Sequence, residues 1–98
     1  MTEFEWDDVK SAENLAKHGL SFEEAARIFQ GFVLTNVDDR EDYREVREIS
    51  LGLLEGLVVL SVAHTDRSGV TRIISARKAT RAERSLFYEY LEKAIGGN

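Results

Sequence analysis

Ninety-eight residues, 43% of them apolar and 32% charged, suffice for one hydrophobic core, so a single water-soluble domain over residues 1–98 is expected and disorder is not. The absence of cysteine excludes disulfides, thiolate chemistry and cysteine-ligated zinc, and two histidines 46 positions apart are a poor start for another metal cage, so neither metal nor cofactor is expected. A net charge of −5 argues at first sight against a nucleic-acid partner, while the acidic start MTEFEWDD and the lack of an apolar run of roughly 18–20 residues point away from secretion and membranes and towards the cytoplasm.

Proline is absent, so only glycine and polar clusters punctuate the chain. Glu3 to Trp6 alternates polar and apolar residues and reads as a short first strand. Asp7 or Asp8 can cap a first helix running to His18, where Gly19 supplies the left-handed closing residue. Ser21 with Glu24 forms a capping box, with Leu20 and Ala25 as its hydrophobic staple, and the second helix runs on to Gln30 before Gly31. From Phe32 the period becomes that of strands: Val33–Val37, Val46–Leu54, Leu57–Thr65 and Val70–Arg77. Asp38 to Asp42 has little to bury and reads as a solvated loop, whereas Glu55-Gly56 and Asp66 to Gly69 are hairpin connections that make the last three strands an antiparallel meander. Thr80 with Glu83 is a further capping box, opening a closing helix with Leu86, Phe87, Tyr90, Leu91 and Ala94 on one face and Arg81, Arg84 and Tyr88 on the other. The elements define an α+β class.

Charge is unevenly spread. Residues 1–48 hold 13 acidic against 6 basic side chains, residues 49–98 hold 5 against 7, and His64–Arg84 alone carries a balance of +4. Screening confines charge effects to about 8 Å, so a local basic site can bind phosphate while the far side stays acidic. Arg77, Lys78, Arg81 and Arg84 converge at the start of the closing helix, and an arginine's planar fork suits phosphate. The plainer reading is a solvated face paired with Glu83 and the acidic half. Lys17 and His18 end a helix where cations offset the dipole, which is explanation enough without catalysis. His64, in an apolar strand, reads as a hydrogen-bonded core residue, although histidine is also the usual general base. Trp6, Phe29 and Phe87 read as core.

The order of these residues resembles the BrnT family of small bacterial toxins along nearly the whole chain. Phe4-Glu5-Trp6-Asp7, Lys10, Asn14, Lys17-His18-Gly19 and Ser21-Phe22-Glu23-Glu24-Ala25 are similar to its N-terminal signature. Glu45, Arg47 and Gly52 are similar to its central strand, Thr65 and Arg67 to its hairpin, and Arg72 to Ala79 with Arg81, Glu83 and Arg84 to its C-terminal signature. The resemblance implies a RelE-like fold, a twisted antiparallel sheet with two N-terminal helices and one C-terminal helix packed on it. It also implies a ribonuclease neutralised by a cognate, BrnA-like antitoxin, with DNA engaged only through that antitoxin. Metal-independent cleavage would use the RNA's own 2′-hydroxyl, leaving the protein to orient the strand, move protons and stabilise a pentacoordinate phosphate. On this basis Arg77 and Arg81 are expected to hold the scissile phosphate, His18 to carry the proton with Lys17 as the alternative, and Arg47, Arg67, Lys78 and Arg84 to contact the RNA. Two rival readings stand beside this one, the first of which uses the same arginines. A catalytically silent module would dock a partner's acidic segment on the basic face, and a DNA-binding regulator would need a basic recognition helix that the second helix, with two glutamates for one arginine, does not provide.

Overall fold

The computed structural model describes residues 3–96, so the expected domain runs two residues past the described chain at each end. Five strands and three α-helices follow one another as β1 (Glu3–Glu5), α1 (Asp8–His18), α2 (Phe22–Ala26), β2 (Val33–Asp38), β3 (Arg47–Leu54), β4 (Val58–Arg67), β5 (Val70–Lys78) and α3 (Arg81–Gly96). The strands form one sheet in the order β1-β5-β4-β3-β2. Its last four strands are antiparallel, as expected, but β1 lies parallel to β5, so the sheet is mixed. Hairpins impose the antiparallel sense on neighbours joined by tight turns, whereas β1 reaches β5 through the rest of the chain and has no such constraint.

Local chemistry accounts for the element ends. Asp7 caps α1 by accepting from the Val9 and Lys10 amides at 2.9 and 3.2 Å, and Gly19 closes it at φ 73°, with its N–H donating to the Leu15 carbonyl. Both halves of the Ser21–Glu24 capping box are present. The second helix departs from expectation: after Ala26 it tightens into a 3-10 turn over Arg27–Gln30, the Arg27 amide reaching back only three residues to the Glu24 carbonyl. Both β3–β4 and β4–β5 connections turn through two consecutive residues with positive φ, Glu55-Gly56 and Ser68-Gly69, the backbone twist that suits a hairpin.

The sheet buries two faces. Against one pack α1, α2 and the 3-10 turn, around Leu20, Phe22, Ala25, Ile28, Leu60, Val62 and Ile73. Each fully buried side chain of this kind contributes roughly 1.5–3 kcal/mol. Gly52 of β3 lets the 3-10 turn approach: a Cβ there would lie 2.9 Å from Ile28 Cβ. His64 belongs to this face, buried, sharing a 2.7 Å hydrogen bond with Ser50 Oγ and meeting the Phe29 ring edge-on. It is a core histidine. On the opposite face Phe87 of α3 closes over Leu51, Val59 and Ala79, with Leu91 half-buried beside them. The predicted apolar stripe of α3 is therefore used only in part: Leu86 and Tyr90 are exposed, and so is Ala94. Among the described residues no helix is long and apolar enough to cross a membrane.

Candidate functional site

Because α3 lies over β2 and β3, the rest of its sheet face stays open. Directly paired residues share a side of a sheet, so the pairs Ile49–Ala63, Ala63–Ser75 and Ser61–Arg77 place Ile49, Ser61, Ala63, Ser75 and Arg77 on that face. Small side chains make its floor low. A cavity of about 100 Å³ sits there, walled by His18, Arg40 and Arg77 above Ser61, Ala63 and Ser75. It adjoins a second one of about 330 Å³, lined by Asp38, Arg40, Arg77, Glu83 and Leu86.

Arg77 comes from the end of β5, half-exposed, and is gripped end-on: Nη1 and Nη2 donate to the two carboxylate oxygens of Glu83 at 2.7 and 3.0 Å, and Nη1 also donates to the Lys78 carbonyl. The same Glu83 accepts from the Thr80 amide at 2.8 Å while Thr80 Oγ1 accepts from the Glu83 amide, so the capping box that starts α3 also anchors Arg77. The hydrogen bond from Arg77 holds the Glu83 carboxyl down at about 2, and Glu83 in return raises Arg77 above its usual value.

Arg40 approaches from the loop between β2 and β3. Asp38 shares the α3 side of the sheet with Leu34, two pleats earlier, and its carboxylate is buried. It accepts from Arg40 Nε at 2.7 Å, Arg40 Nη2 at 2.9 Å and Tyr43 Oη at 3.3 Å, and the Arg40 contact lowers its pKa to about 2. Arg47, the cross-strand partner of Asp38, stacks 3.8 Å from the Tyr43 ring centroid, and its shielded Nε has no partner among the described residues. Arg72 shares this side of the sheet with its partner Thr65 and bonds Glu5 at 2.8 Å.

The placement of His18 follows from Asn14, one turn earlier on α1. Beyond the three residues that β1 covers, the β5 edge would leave Ala76 unpaired, and the buried Asn14 amide fills that role. Its Nδ2 donates to the Leu20 and Ala76 carbonyls at 2.8 and 2.9 Å, and its Oδ1 accepts from the Ala76 amide at 3.2 Å. This clamp fixes the end of α1 against β5 and leaves His18 exposed on the cavity wall.

Of the residues singled out in the sequence, His18 and Arg77 are thus brought together, and Arg47 lies on the same face. Lys17 is exposed beside His18 in a shallow depression with Lys10 and Glu13 that Arg77 does not line. Lys78 pairs with the core residue Leu60, so the pleat turns it to the other side of the sheet from Arg77. Arg67 is held by Glu45 at the tip of the β4–β5 hairpin, and Arg84 reaches back to the Ala79 carbonyl. Arg81, exposed in the first turn of α3, lines neither cavity that Arg77 lines. Arg40 and Asp38, read from sequence only as part of a solvated loop, are the residues missed. Their signal was slight: Asp38 continues the Leu34–Asn36 alternation towards the α3 side. No group of three or more His, Asp or Glu that could hold a metal forms among the described residues.

The two adjoining cavities make one open trough, and together with the fold they define an α+β protein with two carboxylate-held guanidinium groups walling one side of its sheet. The chain belongs to the family described as ribonuclease toxin, BrnT, of type II toxin-antitoxin systems, whose sequence model matches residues 6–83. That membership establishes the resemblance seen in the sequence and implies a cognate antitoxin. The structure is similar to the crystal structure of the Brucella abortus ribonuclease toxin BrnT, with a TM-score of 0.63 and 25% identity over 83% of this chain and all of that one. No curated protein sequence matches the chain.

Proposed function

We propose that this chain is a metal-independent endoribonuclease whose 2′-hydroxyl-driven cleavage takes place in the trough. The observation that carries the reading is the meeting of Arg77 and an exposed His18 on one small cavity, in a chain of a ribonuclease-toxin family. Arg77 keeps Nε–H and one Nη2–H, the side fork, free of protein partners among the described residues, and two parallel donors are what a phosphate's non-bridging oxygens accept. His18 carries the proton, from the attacking 2′-hydroxyl or to the departing 5′-oxygen, and Lys17 is its alternative. Arg47, on the same face, contacts a flanking phosphate, whereas Arg81, which lines neither cavity, and Lys78, Arg67 and Arg84, which are turned or held elsewhere, are not needed at the reacting phosphate. A BrnA-like antitoxin that binds DNA silences the enzyme by covering this face.

The test is cleavage of RNA by the purified chain in EDTA, with analysis of the product ends. Products ending in 2′,3′-cyclic phosphate, no cutting of a 2′-deoxy substrate, and a loss of about a hundred- to a thousandfold in Arg77→Ala are expected. Failure of the folded native chain to cut RNA would favour the silent partner-binding module.

A further inference from the structure

The trough contains a second arginine that no sequence signature marks. Arg40 and Arg77 wall the same cavity, and each is held from behind by its own carboxylate, in complementary ways. Glu83 takes Arg77 end-on, through Nη1 and Nη2, leaving the side fork free. Asp38 takes Arg40 side-on, through Nε and Nη2, leaving both Nη1 protons and one on Nη2, the end fork, without a partner among the described residues. Two cations facing one cavity repel, and the proximity of Arg40 does oppose the charge on Arg77. The two carboxylates keep the forks in place when no anion separates them. Asp38 is itself fixed by burial and by Tyr43, whose ring carries Arg47, so the Arg40 anchor is braced against the sheet.

We infer that Arg40 and Arg77 form a two-arginine clamp on one RNA phosphodiester, each contacting a different non-bridging oxygen, with Asp38 as the positioning residue that presents Arg40. This rests on the RNA-cleaving reading above. It extends that reading by assigning charge stabilisation at the reacting phosphate to a fork on each side of the cavity, with His18 free to serve the bridging oxygens.

The clamp is tested by pairing protein variants with an altered phosphate. Once the cleavage position is mapped, a non-cleavable oligonucleotide with 2′-deoxyribose at that position is made with either a normal or a methylphosphonate linkage there. Removing the charged oxygen should weaken binding to the native chain by roughly ten- to a hundredfold, as expected for hydrogen bonds to a charged group. In Arg40→Ala the methylphosphonate penalty should shrink by about tenfold, because the partner of one oxygen is already gone. Arg40→Lys, which keeps charge but not the fork, should keep the native unfolding midpoint, and both it and Asp38→Asn, which releases the fork, should cut at least tenfold more slowly. An undiminished methylphosphonate penalty in a folded Arg40→Ala, with native cleavage, would overturn the clamp while Arg77→Ala still abolished cutting. If Arg77→Ala also cut normally, the site itself would be wrong.

Discussion

Replacing Asn14 by leucine removes a side chain of similar size whose whole value lies in three hydrogen bonds. The Leu20 carbonyl follows the end of α1, and the Ala76 amide and carbonyl are enclosed between α1 and β5, Ala76 itself being only 2% exposed. At about 1–3 kcal/mol for each buried group left unpaired, the two Ala76 groups predict a loss of roughly 2–6 kcal/mol. Against a total of about 5–15 kcal/mol this is large, and at about 4–8 °C per kcal/mol for a domain of this size it corresponds to a fall in Tm of at least about 8 °C. Urea unfolding should show a lower midpoint with an unchanged slope, since the surface exposed on unfolding is nearly the same. Asn14→Asp supplies a second arm: its carboxylate faces two carbonyls at neutral pH and is worse than leucine, whereas once protonated it can donate to one of them and regain part of the loss. A leucine variant within about 0.5 kcal/mol of the native chain would refute the idea that Asn14 substitutes for a missing strand partner, and with it the account of how His18 is placed.

Gly52→Ala should cost about 1–3 kcal/mol in the same urea assay, because the new methyl meets Ile28 Cβ, an atom fixed to the backbone, at 2.9 Å and Val33 Cγ1 at 3.0 Å. Burial lowers the pKa of His64 below its ordinary 6.5, so the unfolded chain takes up the extra proton first. This contribution is complete above about 6.5 and is lost as pH falls towards the folded value; the melting temperature should drop between pH 7 and 5, and a His64→Gln variant should show a flatter profile there. Glu83→Gln and Asp38→Asn each unmask one guanidinium, and for a single-stranded oligonucleotide each should steepen the plot of log affinity against log salt by about 0.7, binding RNA more tightly at low salt while cutting it more slowly. An unchanged salt slope in both would contradict the pairing of these carboxylates with Arg77 and Arg40.

The parts of the fold legible in the sequence were those written in local chemistry. Asp7, Gly19, the Ser21–Glu24 box and the two hairpin turns act within a few residues, and each marks its boundary in the structure. What was illegible depended on distant partners. The parallel sense of β1 is set by β5, almost seventy residues on; nothing within Glu3–Glu5 encodes it. The closing helix has an apolar stripe, yet only the part above Leu51 and Val59 meets a sheet residue to bury it. The same division runs through the site. Arg77 and His18 stood out because of their surroundings in the sequence, but Arg40 was hidden in a run of charges, and only the pleat that turns Asp38 inwards makes it more than a solvated side chain. Conversely, Arg81 and Lys78 are neighbours of Arg77 in sequence and are carried away from its cavity by the start of the helix and by the pleat.

The acidity of the chain is unexpected in a member of a ribonuclease family, and on the open face the positive charges are themselves paired. Of the four arginines there, Arg40, Arg72 and Arg77 are each paired with a carboxylate, and Arg47 leans on a tyrosine ring. Such a face has little net field to draw RNA from a distance, so electrostatic steering contributes less than it would on a bare basic patch. What it retains is direction. A guanidinium fixed by a carboxylate still has a free fork, already aimed and without rotamer entropy to lose when a phosphate arrives, and donors held in place before the reaction stabilise developing charge most effectively. On the proposed reading Asp38 and Glu83 are then part of phosphate recognition: they exchange general attraction for polyanions for a fixed geometry around one phosphodiester.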